Sequence, residues 1–206
     1  MSVMAQARAE REDLLELLER LPDEQWRTPS LCPGWTVRDV VAHVLSYDGL
    51  GPRELATRFA RGRFLVDRTN AVGLADDGGR SPAELVELLR QHLTPQGLTA
   101  GMGGAIALTD GLIHQQDIRR PLGEPRTIPA DHLVPAFRTA LFGPVLRGVL
   151  RARDVRLVAT DIDWSFGRGP EVRAPAEALL LAVAGRAAVA GELTGPGAGR
   201  LAGRLG

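Results

Sequence analysis

Leu31-Cys32-Pro33-Gly34-Trp35-Thr36-Val37-Arg38-Asp39-Val40-Val41-Ala42-His43 brings a turn, a helix start and a candidate ligand together in one short run. Pro33 and Gly34 interrupt regular structure. Thr36 offers a hydroxyl to the first free N–H groups of a helix, Asp39 stands three residues on as its reciprocal partner, and Trp35 can pack back onto Val40. The spacing therefore predicts a helix that starts at Thr36 and runs to about Asp48. His43 sits on it among the apolar Val40, Val41, Val44 and Leu45.

Working outward, Leu14, Leu15, Leu17, Leu18 and Leu21 recur among charges at helical spacing, which predicts an amphipathic helix over 2–20 stopped by Pro22. Downstream, Pro52 restarts a helix over 52–61, and another helical stretch covers 63–74. Ser81-Pro82-Ala83-Glu84 is a capping box with Pro at the first helical position, so 82–92 reads as helix. A Gly-rich loop over 94–104 leads into a helix over 105–120, with Ile106, Leu108, Leu112, Ile113 and Ile118 apolar. One more helix spans 130–151, bent or broken at Gly143-Pro144. After Arg153 the pattern changes. Residues 155–160, 164–166 and 171–173 read as short strands around the turn Gly167-Arg168-Gly169-Pro170. Pro175 then opens a helix to about Glu192. The expected fold is α+β: a helix bundle over 1–152, then a small strand-and-helix domain over 153–206.

Composition narrows the functions. The 206 residues are 44% hydrophobic and 24% charged, ordinary for a chain that buries a core and unlike a disordered one. Basic and acidic residues number 25 each, so the total implies no basic stripe for phosphates and no nucleic-acid partner is expected. Every basic residue is Arg and none is Lys, which excludes Schiff-base and P-loop lysine chemistry. Cys32 is the single cysteine. It permits no internal disulfide or thiolate cage and suits a reducing cytoplasm, the expected compartment. Arg8, Glu10, Arg11, Glu12 and Asp13 stand where a signal peptide needs an apolar core. No run approaches the ~20 apolar residues that span a bilayer, so no membrane partner is expected.

Asp110 and His114 stand four apart on one expected helix, so both can reach an ion from the same side. His43 could supply a third ligand from a facing helix. One carboxylate and two imidazoles hold a divalent ion while leaving positions open, as catalytic sites do. Spacing alone leaves the alternative standing, in which His43 is a core histidine and Asp110 a cap or ion-pair partner.

The residues 31–43 quoted above resemble the N-terminal signature of the mycothiol-dependent maleylpyruvate isomerase family, a DinB-like group of metal-binding four-helix bundles. Leu112-Ile113-His114-Gln115-Gln116-Asp117-Ile118-Arg119-Arg120-Pro121-Leu122-Gly123 is similar to the family's metal helix and the turn that ends it. Asp161, Trp164, Gly169-Pro170-Glu171-Val172 and Leu181-Ala182-Val183-Ala184-Gly185-Arg186 are similar to its small C-terminal domain. The resemblance implies metal ligands at His43, Asp110 and His114, with Zn²⁺ the expected ion and mycothiol the thiol cosubstrate. Asp110 stands where the family has Glu. One methylene shorter, it would need a shift of ~1 Å or a bridging water to reach an ion bound at 2.0–2.2 Å. Arg186 matches the family's essential arginine, which would hold an anionic group of a small electrophilic substrate. The implied activity is thiol S-transfer or isomerisation at a His/Asp/His site. The alternatives are a silent family member that binds or regulates, and a hydrolase using metal-activated water.

The remaining polar residues divide more simply. Cys32 reads as packing in a turn, and Asp39 as a cap. Asp117 either orients His114 or serves as surface charge. Arg119 and Arg120 either meet anionic substrate or answer the helix dipole. His92 and His132 are expected to face solvent, and Gly101 to Gly104 to form a flexible approach to the metal helix.

Overall fold

The computed structural model describes residues 1–143 and 145–205, which form two compact units, 1–125 and 126–206. The first unit begins with α1 (Val3–Glu19), capped by the Ser2 hydroxyl. It continues with α2 (Val37–Leu45), α3 (Pro52–Arg61), α4 (Val66–Asp76), α5 (Pro82–Gln91) and α6 (Ala105–Leu122). Four of these close a ring: α1 packs on α6 and α5, and α2 packs on the same two. This is the expected four-helix bundle. Its interior is filled by Leu14, Leu17 and Leu18 from α1, Val37, Val40, Val41 and Val44 from α2, Leu85 and Leu89 from α5, and Ile118 from α6. Each such side chain contributes about 1.5–3 kcal/mol on burial. The α3 and α4 helices pack on each other, and α4 also touches α2. They form an added hairpin outside the ring, and α3 buries only Arg58.

The approach to α6 is a short 3₁₀ turn (Gly101–Gly104) in which Met102, Gly103 and Gly104 all take positive φ. At Gly104 a Cβ would stand 2.8 Å from the Met4 Cα. Glycine is needed there both for its backbone angle and for the close approach of α1.

The second unit comprises α7 (Ala130–Phe142), α8 (Gly148–Arg151), strands β1 (Arg156–Ala159), β2 (Ser165–Gly167) and β3 (Glu171–Ala174), α9 (Ala176–Val183) and α10 (Ala198–Ala202). The strand order is β2-β1-β3. β1 runs antiparallel to β2, with Leu157 opposite Phe166, and parallel to β3, with Leu157 opposite Val172. α9 covers β1 and β3 and also receives α7, and Phe137 of α7 stacks on Trp164 at 3.7 Å between ring centroids.

Three expectations are corrected here. The boundary between compact units lies at 125/126 and not at 152/153, because α7 and α8 pack with α9 and Phe142 of α7 meets Phe166 of β2 edge to face. The helix expected over 130–151 is two helices, with Gly143 extended between them; the Pro144 half of that expectation lies outside the described residues. The helix expected to reach Glu192 stops at Val183, since Gly185 turns left-handed at φ +92° where a Cβ would meet the Arg151 guanidinium at 2.7 Å. A 3₁₀ turn (Ala187–Glu192) follows. Among the described residues no helix is long and apolar enough to cross a membrane.

Candidate metal centre

The start of α2 is fixed as the sequence predicts. The Asp39 N–H donates to the Thr36 hydroxyl, while the Thr36 N–H donates to the Asp39 carboxylate at 3.0 Å. That reciprocal cap sets the phase of α2, and the helix packs against α6, so His43 comes to face Asp110 and His114 across the bundle. The three converge. Asp110 Oδ1 lies 3.4 Å from His114 Nε2 and 3.9 Å from His43 Nε2, and one donor atom from each lies within 4.8 Å of the others. The two imidazoles meet edge to face at 4.8 Å. Both histidines are buried, whereas the Asp110 side chain is 33% exposed. The cluster therefore opens toward solvent on its carboxylate side.

These separations suit an ion. Donors bound at about 2.0–2.2 Å around a tetrahedral centre stand roughly 3.4 Å apart. The 3.4 and 3.9 Å found here match or exceed that by a fraction of an ångström. Asp110 thus already sits within reach of both imidazoles. Two histidines and one carboxylate are a donor set for a divalent ion with positions left over.

Without an ion, charge holds the same side chains together. Burial opposes the charged form of His114, but the Asp110 carboxylate, with Asp117 and Cys32 hydrogen-bonded beside it, outweighs burial and holds the imidazole well above its ordinary pKa. Burial likewise pushes Asp110 up, yet His114, His43 and Arg11 together hold it below the usual carboxylate range. Two aromatic rings flank His43: Trp35 at 5.1 Å and Tyr47 edge-on at 6.0 Å. The Tyr47 phenol is raised, first by burial, with Asp110 adding to it against the opposing Arg58 guanidinium. Its hydroxyl donates to Asn70 at 2.7 Å.

The far side of His114 holds what the sequence did not foresee. His114 Nδ1 lies 2.8 Å from Asp117 Oδ2, which answers the open question about Asp117 in favour of contact with the imidazole. The Cys32 thiol donates to that same oxygen at 3.1 Å and stands 3.8 Å from the imidazole. Cys32 therefore does more than pack. The three-residue step from His114 to Asp117 was a usable signal for one contact, but nothing local placed Cys32 there. Tyr47, four residues beyond His43, could have been found by the same kind of spacing.

Other candidates lie elsewhere. Arg119 is buried and donates to Gln115 and to the Asp13 carboxylate of α1, so it ties helices together. His92 is half-buried at the end of α5, its Nδ1 2.9 Å from the Leu88 carbonyl. His132 is buried on the stripe of α7 that includes Leu133, Ala136 and Phe137. The solvent-facing expectation for both is corrected. Arg186 belongs to the second unit, beside Arg151 in charge and 3.4 Å from the Ala184 carbonyl. Its assignment to an anionic substrate rests on the resemblance alone.

Two uncharacterized proteins of Mycobacterium tuberculosis, one from each of two strains, are 30% identical over 89 residues, covering 40% of this chain. The matched stretch spans about 35% of the length of each of those relatives. Among solved structures, the chain is similar to the mycothiol-dependent maleylpyruvate isomerase, with a TM-score of 0.48, 12% identity, and 94% of this chain and 91% of that chain covered. A mutant of that enzyme gives a TM-score of 0.47. Residues 7–107 match the family model described as the mycothiol maleylpyruvate isomerase N-terminal domain. That match takes in most of the first compact unit, which over those residues is similar to the mycothiol maleylpyruvate isomerase N-terminal domain family.

Proposed function

We propose that this chain is a metal-dependent enzyme that activates a low-molecular-weight thiol, mycothiol, and delivers it to a small, anionic electrophile by S-transfer or thiol-assisted isomerisation. The observation that carries this reading is the convergence of His43, Asp110 and His114 within 4.8 Å of one another on two packed helices. Those three residues would hold the ion, with Zn²⁺ the proposed metal. The chemistry supplied by a bound divalent ion here is deprotonation of a thiol that is mostly neutral near pH 7. The protein's own groups prepare for it. His114 turns Nε2 toward the cluster because Nδ1 faces Asp117. Trp35 and Tyr47 flank the buried His43 and keep water from that side, while the part-exposed Asp110 leaves a path for ligands. The match of residues 7–107 to the mycothiol maleylpyruvate isomerase N-terminal domain supports a mycothiol-related enzyme and leaves the electrophile open.

The test is a titration of the Co²⁺-substituted protein with mycothiol, followed by absorption. A sulfur-to-cobalt charge-transfer band, absent from His43→Ala, is the expected result. A Co²⁺ spectrum unchanged by saturating mycothiol overturns thiol activation. Thiol-independent turnover of an amide or ester would then assign the same three ligands to hydrolysis.

A further inference from the structure

Asp117 is fully buried and lies one helical step from His114, so the two side chains share a face of α6. A carboxylate only accepts hydrogen bonds. At 2.8 Å from Nδ1, Asp117 therefore keeps a proton on that nitrogen, so that once Nε2 gives up its own proton to an ion, its lone pair points toward Asp110 and His43. The Cys32 thiol gives a second hydrogen bond to the same Oδ2, fixing the carboxylate from the opposite chain segment. That segment is itself held to α6, because the Leu31 N–H donates to the Asp117 carbonyl at 3.0 Å. It is also closed on itself. The Cys32 N–H donates to the Ser30 hydroxyl at 3.1 Å, that hydroxyl donates to the Trp35 carbonyl at 2.9 Å, and the Trp35 N–H donates to the Cys32 carbonyl at 3.0 Å. The same turn ends in Trp35, whose ring lies 5.1 Å from that of His43, and in the cap of α2. One turn thus touches both imidazoles, one through Asp117 and the other through Trp35.

We propose that Asp117 and Cys32 are positioning residues: the carboxylate fixes the tautomer and plane of His114, and the thiol fixes the carboxylate, so the turn over 30–36 sets the metal affinity of a site it does not ligate. The inference rests on the metal reading above. Carboxylates that hold a ligating histidine by its other nitrogen typically change metal affinity about 10–100-fold when removed.

The experiment is Zn²⁺ affinity by chelator competition, with Co²⁺ absorption as a second readout, on the wild type, Asp117→Asn, Cys32→Ala, Cys32→Ser and His114→Ala. Circular dichroism confirms that each is folded. Asp117→Asn keeps the shape but loses the charge. It is expected to weaken Zn²⁺ binding by about 10-fold or more and to shift the Co²⁺ ligand-field bands. Cys32→Ala is expected to weaken binding by a smaller factor, and Cys32→Ser, which still donates to Asp117, to restore it. Should Asp117→Asn not fold, the Cys32 pair carries the test through the same comparison. Wild-type affinity and spectrum in both Asp117→Asn and Cys32→Ala overturn the proposal. So does binding of two ions, one of them lost in Cys32→Ala, since Cys32 and Asp117 would then be ligands. Failure of the metal reading itself looks different: the wild type and His114→Ala bind Zn²⁺ equally weakly.

Discussion

At the scale of single residues, Asp110 and His114 stabilise each other's charge when no ion is present. The folded pKa of His114 is raised, so its contribution to stability is complete below the unfolded value of about 6.5 and is lost as pH rises through the folded value. Asp110 is depressed, so its contribution is present above about 3.9 and is lost as pH falls. The two losses run in opposite directions of pH, so with chelator present the pair stabilises most between these two values. Urea midpoints of the metal-free protein should therefore fall as pH is raised from 6.5 upward, and His114→Gln should flatten that decline. An equally steep decline in His114→Gln would remove the ion pair as its cause.

Helix starts are where sequence and structure agree best. Thr36 and Ser81 each open a capping box, and the structure contains both, because the partners are three residues apart and no distant segment decides the outcome. Thr36→Ala removes the hydroxyl that accepts from Asp39. It should cost about 0.5–2 kcal/mol, read as a lower urea midpoint. Because α2 carries His43 and its start is shared with the Cys32 turn, the same variant should also bind Zn²⁺ less tightly. Loss of stability with unchanged metal affinity would separate the cap from the site. The three candidate ligands were legible in position for the same local reason, His43 from a cap and Asp110 and His114 from a four-residue step, while their reading as ligands came from the resemblance. Cys32 was not legible, since its contact with Asp117 joins positions 85 residues apart and no periodicity encodes that. The inward turn of His132 was hidden likewise, because a histidine beside a helix start carries no spacing signal that separates a buried from an exposed position, and only packing decides it.

Across the first unit, the bundle is tied by a buried ion pair that crosses it. The Arg11 guanidinium of α1 holds Asp48, just beyond α2, and donates to the His92 carbonyl at the end of α5; the Thr99 hydroxyl also binds Asp48. Both charged side chains are almost completely enclosed. Asp48→Ala would leave the guanidinium unpaired inside the bundle and should destabilise it by about 3–5 kcal/mol, whereas Glu12→Ala, which breaks the exposed pair with Arg8, should cost at most about 1 kcal/mol. Similar urea midpoints for the two would contradict that ranking. The bundle exists, on this account, to hold two helices so that three donors meet. The most direct measurement is the metal content of protein purified from cells and dialysed without chelator, compared with His43→Ala, Asp110→Ala and His114→Ala. The account predicts close to one divalent ion per wild-type chain and little in each variant while all remain folded. Metal retained in His43→Ala and His114→Ala at the wild-type level, or absent from a folded wild type even after Zn²⁺ is added, would contradict it.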